Sequence, residues 1–436
     1  MGAVLRVSKV RSGGAAYYLE VAAGPSGTGI EAAGRWLGRG TPELRLAGTV
    51  AGADLEAVLA GRDPRSDTVL GAARSRVRVA GFDMTFSAPK SVSLLHALGD
   101  PEVAEAVAAG HADAVEAAMA YVESSALAVR RRGEAPGPVP TVVAGVAAAG
   151  FVHRMSRALD PHLHTHVVVA NLGRGPEGTW SALDGRGVYA HASATDALYH
   201  SHLRHELSRR LGVAWGPTDR GRADIDGIGP EARREFSRRA ADIYAHMAER
   251  DLTSGRAQTV AAFATRADKD PLVGADELRP QWRRRAAAVG LGPRSLDAAL
   301  DVVDRRQTWG RGLDEAGRAD GVSRSLAELH RTVSRRDVVR AWCRSLPGGA
   351  PGPEVEGAAD RLLATLAPES GPRGERHGPG VAERRHQPPG RALDPVVDRG
   401  RRVEAERVEL ARLLADRAVG LDRSGHRSPA VGLGFG

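Results

Sequence analysis

The sequence predicts an α+β fold in which a mainly antiparallel sheet carries helices packed on one face. The clearest observation is an alternating segment, where Phe82, Met84 and Phe86 are apolar and the residues between them are polar. This alternation is typical of a strand with one buried face. A second observation is that strand-like and helix-like segments occur in separate blocks, which favours an α+β layer architecture. Strand patterns cover residues 77–87, 141–155, 162–171 and 180–183.

The helix signals come from prolines and capping residues. Pro89 opens one helix, and Pro101 opens a second that reaches about Val129. Ser193 begins a capping-box pattern, which predicts a helix from that point to about residue 211. Further helical patterns cover residues 230–251, 281–289, 323–330 and 334–345.

The chain divides into a domain over residues 1–345 and a tail over residues 346–436. Within the domain, a core covers about residues 1–220 and a helical C-terminal extension covers about residues 221–345. Between residues 367 and 402, 12 of the 36 residues are Gly or Pro. Such a composition buries too little apolar surface to fold, so the Pro/Gly/Arg-rich tail is expected to be largely disordered.

Composition narrows the class of protein. The 436 residues carry a formal net charge of +8, which favours a polyanionic partner. Only Lys9, Lys90 and Lys269 are lysines, and none of them follows a glycine, which excludes a Walker A loop and an ATP site of that type. The single cysteine, Cys343, excludes an intramolecular disulfide and fits a reducing compartment. No apolar segment is long enough to cross a bilayer, so we expect a cytoplasmic protein without membrane insertion.

Three histidines are the strongest candidates for a metal site. His164 and His166 are two apart on a predicted strand, so their side chains share one face about 6.6 Å apart. Depending on where the preceding turn is centred, His153 lies opposite either His164 or His166 on the neighbouring strand. Either register gives three imidazoles with an open position, the pattern of a catalytic metal site. A solvated polar strand is the alternative, and His162 is an expected bystander at the turn.

Polar residues around the first long strand are further candidates. Asp83 is on the polar face of that strand, where a carboxylate orients a metal-bound imidazole or accepts a proton. Lys90 and Ser91 lie at the start of the next helix, where free N–H groups favour an anion. An ordinary helix cap explains that segment equally well.

Tyr17 and Tyr18 are adjacent near the N-terminus of a chain with only six tyrosines. A tyrosine hydroxyl is a competent nucleophile toward phosphorus when a base or a metal activates it. Half-buried strand residues are the common alternative for such a pair, and spacing alone does not decide between them.

Together these segments resemble the relaxase domain of the MobF-type conjugative relaxases, which are HUH single-strand endonucleases. The resemblance covers roughly the first 330 to 345 residues. It is carried by the tyrosine pair, by GRWLGRG at 34–40, by GFDMTFSAPKSVS at 81–93, by His153 with DPHLHTHVVVAN at 160–171, and by WSALDGR at 180–186.

The resemblance implies an HUH relaxase fold, with a permuted ferredoxin-like palm, and a DNA-nicking activity. In the family, the tyrosine matching Tyr17 attacks a phosphodiester of the transfer origin and forms a 5′-phosphotyrosyl adduct. Histidines matching His153, His164 and His166 hold a divalent metal ion. The aspartate matching Asp83 assists by positioning or deprotonating. The resemblance implies Mg²⁺ or Mn²⁺, whereas three imidazoles also suit Zn²⁺ or Ni²⁺.

The implied partner is single-stranded DNA of a transfer origin. Arginine forks on phosphates and aromatic rings under bases are the expected contacts, although solvated arginines or core tryptophans are equally good interpretations. A coupling protein of a conjugative secretion system and a separate helicase are further implied partners. The candidate DNA-binding residues are Arg35, Trp36, Arg39, Lys90, Ser91, Trp180 and Arg186.

The chain departs from the family pattern in two ways. Residues 22–33 contain no second tyrosine pair, so a second strand-transfer step would depend on Tyr18. A helicase part would need a Walker lysine, which this chain lacks. Two other functions stay open: a single-stranded DNA-binding remnant of a truncated relaxase that has lost the chemistry, and a metal-dependent hydrolase of a small substrate. The hydrolase needs further ligands, for which Lys269 in a loop-like segment is a poor candidate.

Overall fold

The computed structural model describes residues 5–11, 18–19, 33–71, 79–132, 138–265, 274–303, 315–329 and 333–366. Contacts within the chain define one compact unit over Met1–Pro368 and a second over Glu369–Gly436. The second unit lies outside the described residues, and so does Tyr17.

An antiparallel sheet of six strands forms the centre of the first unit. The described residues contain eight strands in all, of which six belong to this sheet. They are β1 Arg6–Arg11, β2 Arg35–Leu37, β3 Val79–Ser87, β4 Ala128–Arg132, β5 Pro138–Val142, β6 Gly145–Met155, β7 Pro161–Arg174 and β8 Trp180–Ser181. The central sheet has the order β1-β3-β7-β6-β2, with β8 paired to β7, while β4 and β5 form a separate two-stranded ribbon. Every one of these pairings is antiparallel, as predicted.

The helices pack mainly on one face of this sheet. They are α1 Gly52–Ala60, α2 Lys90–Leu98, α3 Pro101–Tyr121, α4 Arg186–Leu211, α5 Pro230–Glu235, α6 Arg238–Ala248, α7 Gly255–Ala264, α8 Ala275–Ala288, α9 Pro293–Asp297, α10 Glu315–Ala327, α11 Arg335–Arg344 and α12 Gly352–Leu366. Phe82, Met84 and Phe86 of β3 face the large core with α2, α3 and α4, which confirms the predicted alternation. None of the helices in the described residues is both long enough and apolar enough to cross a membrane.

The opposite face carries a smaller core. Val168, Ala170 and Leu172 follow His166 along the same face of β7 and are buried. The helix α1 covers this region with its buried apolar side chains, such as Leu55. Because α1 covers only the part of the face beyond His166, the polar residues near the other end of β7 are left for a site.

Two predicted helix boundaries are wrong. The helix α3 ends at Tyr121 and continues only as a π-helical turn over Val122–Ala126, so Val129 lies in β4. The helix α4 begins at Arg186, which places Ser193 inside the helix instead of at its cap. Its N-cap is Gly185, where an added Cβ would lie 2.5 Å from the Phe82 ring. The close approach of this turn to the sheet therefore sets the start of α4.

Two further predicted elements are divided in the structure. The predicted strand over 141–155 is split between the end of β5 and β6. The predicted helix over 230–251 is split into α5 and α6 at Phe236 and Ser237. Phe236 is fully buried in the large core, which requires the chain to bend there.

The folded unit also extends beyond the predicted domain boundary at residue 345. The helix α12 packs on α11 and α4 through buried residues that include Val355 and Ala359. Its first residue, Gly352, donates its backbone N–H to Nδ1 of His202 on α4 at 3.0 Å. Since the apolar positions of α12 recur at helical spacing, this segment belongs to the core, and the tail assigned from residue 346 starts too early.

Candidate metal centre

The hairpin of β6 and β7 brings the predicted histidines together. His153 pairs directly with His164, which selects one of the two registers that the sequence left open. The turn between the strands contains Leu159 in a left-handed conformation, with φ of 57°. The β3–β7 register places Thr85 opposite His166 and Ser87 opposite His164, so polar residues of β3 share the face of the histidines.

The three imidazoles form a compact group, which we call the histidine trio. Ring centroids are 5.1 Å apart for His153–His164 and for His153–His166, and 5.3 Å apart for His164–His166. One ligand nitrogen from each ring lies within 4.8 Å of the others. His153 and His164 are buried and His166 is half-buried. Three converging imidazoles on a partly open face match the ligand set of a metal site that keeps a position for substrate.

His162 lies beside the trio. Among the described residues, it is not part of the group whose ligand nitrogens converge. Its ring stacks on His164 with centroids 4.5 Å apart and an interplanar angle of 26°. Its backbone carbonyl lies 2.9 Å from Nδ1 of His164, which leaves Nε2 of His164 as the ligand atom. Burial lowers the pKa of His162 well below its usual value, so the ring is neutral at physiological pH.

Asp83 orients the third imidazole. Its Oδ1 and Oδ2 lie 2.9 and 3.1 Å from Nδ1 of His166, and Oγ of Ser8 donates to Oδ2 at 3.5 Å. Oγ1 of Thr85 is 3.3 Å from the same Nδ1. A carboxylate that accepts from Nδ1 fixes the tautomer and turns Nε2 toward a metal.

Replacing Asp83 with asparagine is expected to weaken metal binding by about 10- to 100-fold, because the charged acceptor behind His166 is lost. Calorimetric titration of Mn²⁺ into the purified protein measures this. Ser8→Ala is the matched control, since it removes only the long contact to Oδ2, and it should leave the affinity nearly unchanged. Equal affinities for Asp83→Asn and wild type would contradict the orienting role.

One residue of the tyrosine pair lies beside the trio. The Tyr18 ring is buried, with its centroid 5.9 Å from that of Phe151 and 6.2 Å from that of His166. The structure therefore joins the N-terminal segment to the histidines, although 75 residues separate Ser8 from Asp83 and more separate Tyr18 from His166.

The predicted DNA-binding loop over residues 34–40 exposes its two arginines and buries its tryptophan. Arg35 is exposed on the edge strand β2, and it alternates with Trp36, which is buried in the small core. An indole held in the core is not available to stack on a base, so the prediction for Trp36 is wrong. Arg39 is 54% exposed and remains available to a phosphate. Trp180 is half-buried and packs on the same core, against Gly40.

Glu123 holds this loop in place, and sequence reasoning missed it. Its Oε1 accepts the backbone N–H groups of Arg39 at 2.9 Å and Val146 at 3.0 Å, and its Oε2 lies 3.4 Å from Nε of Arg39. Gly38 has φ of 96°, and an added Cβ would lie 2.4 Å from the Val146 carbonyl oxygen. The π-helical turn that carries Glu123 is a common feature of functional regions, but it is visible only in the structure, so the sequence offered no signal for this residue.

Replacing Glu123 with alanine is expected to lower the free energy of unfolding by about 2 kcal/mol, because two buried N–H groups lose their acceptor. Guanidinium unfolding of the two proteins measures the difference. Glu123→Gln is the control, since its amide oxygen can still accept both N–H groups, and it should lose less. An alanine variant as stable as wild type would exclude this role.

Lys90 and Ser91 do not form the predicted anion site. Ser91 is fully buried, and its backbone N–H and Oγ contact Oδ1 of Asp224 at 3.2 and 2.7 Å. A carboxylate of the chain itself thus takes the place at the helix start where a phosphate was expected. Nζ of Lys90 donates to the Pro161 carbonyl oxygen at 2.6 Å, and burial lowers the Lys90 pKa to about 8. The DNA-binding prediction is therefore wrong for Ser91. Lys90 instead stabilises the hairpin of β6 and β7 through its hydrogen bond to Pro161.

Arg186 is on the surface, as a DNA contact requires. Its side chain is 74% exposed and binds Asp184, with Nη2–Oδ2 at 2.6 Å. Arg130 reaches the same carboxylate at 3.3 Å. The hydrogen bonds from Arg186 are the main cause that lowers the Asp184 pKa to about 2.

The sheet order and the trio on its face define the HUH relaxase fold, and the comparisons with known proteins agree. The family described as TrwC relaxase matches residues 6–289, which is more than half of the chain. The chain therefore belongs to the TrwC relaxase family.

Two curated relatives share this region. The chain is 32% identical over 290 residues to the multifunctional conjugation protein TraI of Escherichia coli strain K12. It is 33% identical over 293 residues to a second TraI of Escherichia coli. Each alignment covers 62% of this chain and 15% of the relative, so the chain spans only a small part of their length.

Solved structures of the conjugative relaxase TrwC in complex with oriT DNA have the same fold. The metal-bound form matches with a TM-score of 0.59 and 27% identity, covering 66% of this chain and 98% of that one. A copper-bound form matches with a TM-score of 0.58 and 29% identity over the same shares.

Proposed function

We propose that this chain nicks and rejoins one strand of DNA at a transfer origin, using Tyr17 as the nucleophile and the histidine trio as a metal centre. The observation that carries the proposal is the Tyr18 ring 6.2 Å from the His166 ring. Consecutive Cα atoms are about 3.8 Å apart, so Tyr17 is joined directly to a residue beside the trio. Membership of the TrwC relaxase family supports the same chemistry.

The reaction is a transesterification. The Tyr17 oxygen attacks the scissile phosphorus, the bond from phosphorus to the 3′-oxygen breaks, and a 5′-phosphotyrosyl adduct forms. The phenol loses its proton and the 3′-oxygen gains one. Because one phosphodiester replaces another, the strand can be rejoined by the reverse attack of the 3′-hydroxyl.

The residues of the trio fit a divalent metal ion. Three imidazoles with converging nitrogens would hold it, and the ligand set suits Zn²⁺, Ni²⁺ or Cu²⁺ as well as the Mg²⁺ or Mn²⁺ implied by the family resemblance. A metal bound there supplies Lewis acidity toward a phosphoryl oxygen. Asp83 contacts His166 through both carboxylate oxygens, which favours positioning of that ligand over removal of the tyrosine proton.

The partner is single-stranded DNA of a transfer origin, and the exposed guanidinium groups of Arg35, Arg39 and Arg186 are available for its phosphates. Tyr18 is assigned to packing: its buried ring on Phe151 holds the N-terminal segment against the sheet. The proposal also includes a cytoplasmic location, a coupling protein of a conjugative secretion system and a separate helicase.

The experiment is a covalent-adduct assay. The protein is incubated with Mn²⁺ and a tiled set of labelled single-stranded oligonucleotides from the genetic element that encodes it, and the products are separated on a denaturing protein gel. We expect one oligonucleotide to give a protein-linked band and a shorter free fragment with a 3′-hydroxyl. Binding of oligonucleotides without any covalent band would favour the DNA-binding remnant instead.

A further inference from the structure

The turn between β6 and β7 is held by side chains from the helical part of the chain. Asp160 closes this turn and is fully buried. The backbone N–H and Nε of Arg238 donate to Oδ2 and Oδ1 of Asp160, each at 3.0 Å. Nη1 of Arg285 donates to the same Oδ1 at 3.0 Å. A carboxylate thus sits between two guanidinium groups from α6 and α8, only four residues before His164.

Three backbone carbonyl groups of the same turn are also occupied. Their donors come from α6, α8 and α2, which are distant from one another in sequence. They are Arg238 Nη2 on Ala158 at 2.7 Å, Trp282 Nε1 on Leu159 at 2.9 Å, and Lys90 Nζ on Pro161 at 2.6 Å. Because Leu159 has a left-handed backbone that leucine disfavours, contacts from outside the turn are needed to maintain it.

Arg285 is itself held rigidly. Its Nε and Nη2 donate to Oε1 and to the backbone carbonyl of Glu235, each at 2.8 Å. Its guanidinium carbon lies 4.4 Å from the centre of the Phe236 ring. A buried carboxylate is tolerated when its partners are so well placed, and removing one partner leaves an uncompensated group. These contacts tie the turn to α6 and α8, and Glu235 of α5 holds Arg285 in place.

We propose that Asp160, Arg238, Arg285 and Trp282 are positioning residues for the metal centre, and we call these four residues the hairpin clamp. The clamp fixes the register in which His153 pairs with His164. A slip of one residue would send the His153 side chain to the other face of the sheet, and smaller shifts would spread the three nitrogens. This inference rests on the metal centre of the proposed function.

The test is to measure, by calorimetry, how tightly Ni²⁺ binds to the full chain without an affinity tag. Asp160→Asn is expected to weaken Ni²⁺ binding by about tenfold, as loss of a group that orients metal ligands does. Trp282→Phe keeps an aromatic ring in the core but removes the indole N–H donor to Leu159 together with part of the buried ring volume. It tests the clamp if Asp160→Asn does not fold. It should also weaken Ni²⁺ binding, and it should lower the melting temperature less than Asp160→Asn does.

The matched control is Arg335→Met. Arg335 also binds two carboxylates, with Nε–Oδ1 of Asp360 at 2.6 Å and Nη2–Oε2 of Glu356 at 3.1 Å, but it joins α11 to α12. It should lower the melting temperature and leave Ni²⁺ affinity unchanged. A loss of affinity in the control equal to that in the clamp variants, or unchanged affinity in both clamp variants, would overturn the clamp. A wild-type protein that does not bind Ni²⁺ would contradict the metal centre itself.

Discussion

Tyr17→Phe is expected to abolish the covalent DNA adduct, with a loss of at least about a thousandfold in nicking rate, because the phenyl ring has no oxygen to attack phosphorus. Binding of the same single-stranded oligonucleotide should be nearly unchanged, since the hydroxyl is a small part of the DNA contact. The adduct assay on denaturing gels measures the first quantity, and fluorescence anisotropy measures the second.

The neighbouring tyrosine supplies the control for this result. Tyr18→Phe keeps the ring that packs on Phe151 near His166, and it should still form the adduct at a comparable rate. If Tyr18→Phe loses the adduct and Tyr17→Phe keeps it, the nucleophile is the buried Tyr18 and not Tyr17. Loss in both variants would mean that the two hydroxyl groups act together.

His164→Ala is expected to slow nicking by about a thousandfold, which corresponds to roughly 4 kcal/mol of lost transition-state stabilisation. His164 is one of three nearly equidistant rings, with the His153 ring 5.1 Å away and the His166 ring 5.3 Å away, so its removal leaves two ligands. Calorimetry should also show that the same variant binds Mn²⁺ at least tenfold more weakly. Loss of a group that only supports a metal ligand already weakens binding by about tenfold, and His164 is a ligand itself.

The control for this variant lies on the same strand. His162→Gln removes a ring that stacks on His164 but keeps the backbone carbonyl that contacts Nδ1, so metal binding and nicking should change little. Chelation of wild-type protein should reproduce the effect of His164→Ala and be reversed by added Mn²⁺. Nicking at the wild-type rate in His164→Ala after chelation would exclude a role for the metal.

The central strands and two members of the trio could be predicted from the sequence. Side chains alternate along a strand with a period of two, so the pattern around Phe82 and Met84 and the shared face of His164 and His166 follow from local geometry. The family resemblance then connected the tyrosine pair with these histidines. Neither inference needs the position of any distant segment.

Other site residues depend on contacts between segments far apart in the chain. The predicted anion-binding role of Ser91 is wrong because Oδ1 of Asp224, 133 residues later, accepts hydrogen bonds from its hydroxyl and its backbone N–H. Trp36 lost its predicted stacking role because α1 and the sheet enclose a second core. Glu123 was missed because its two backbone partners are brought to it only by the docking of a loop on β6.

What the sequence determined by itself was the set of chemical groups and the strand periodicity that lets two imidazoles share a face. Tertiary structure alone decided which register His153 adopts, which polar groups are buried, and that helices from residues 230–288 hold the turn beside the trio. The physical reason is range: a backbone repeat is set by neighbouring residues, whereas burial and pairing of charges are set by whichever distant segments pack there.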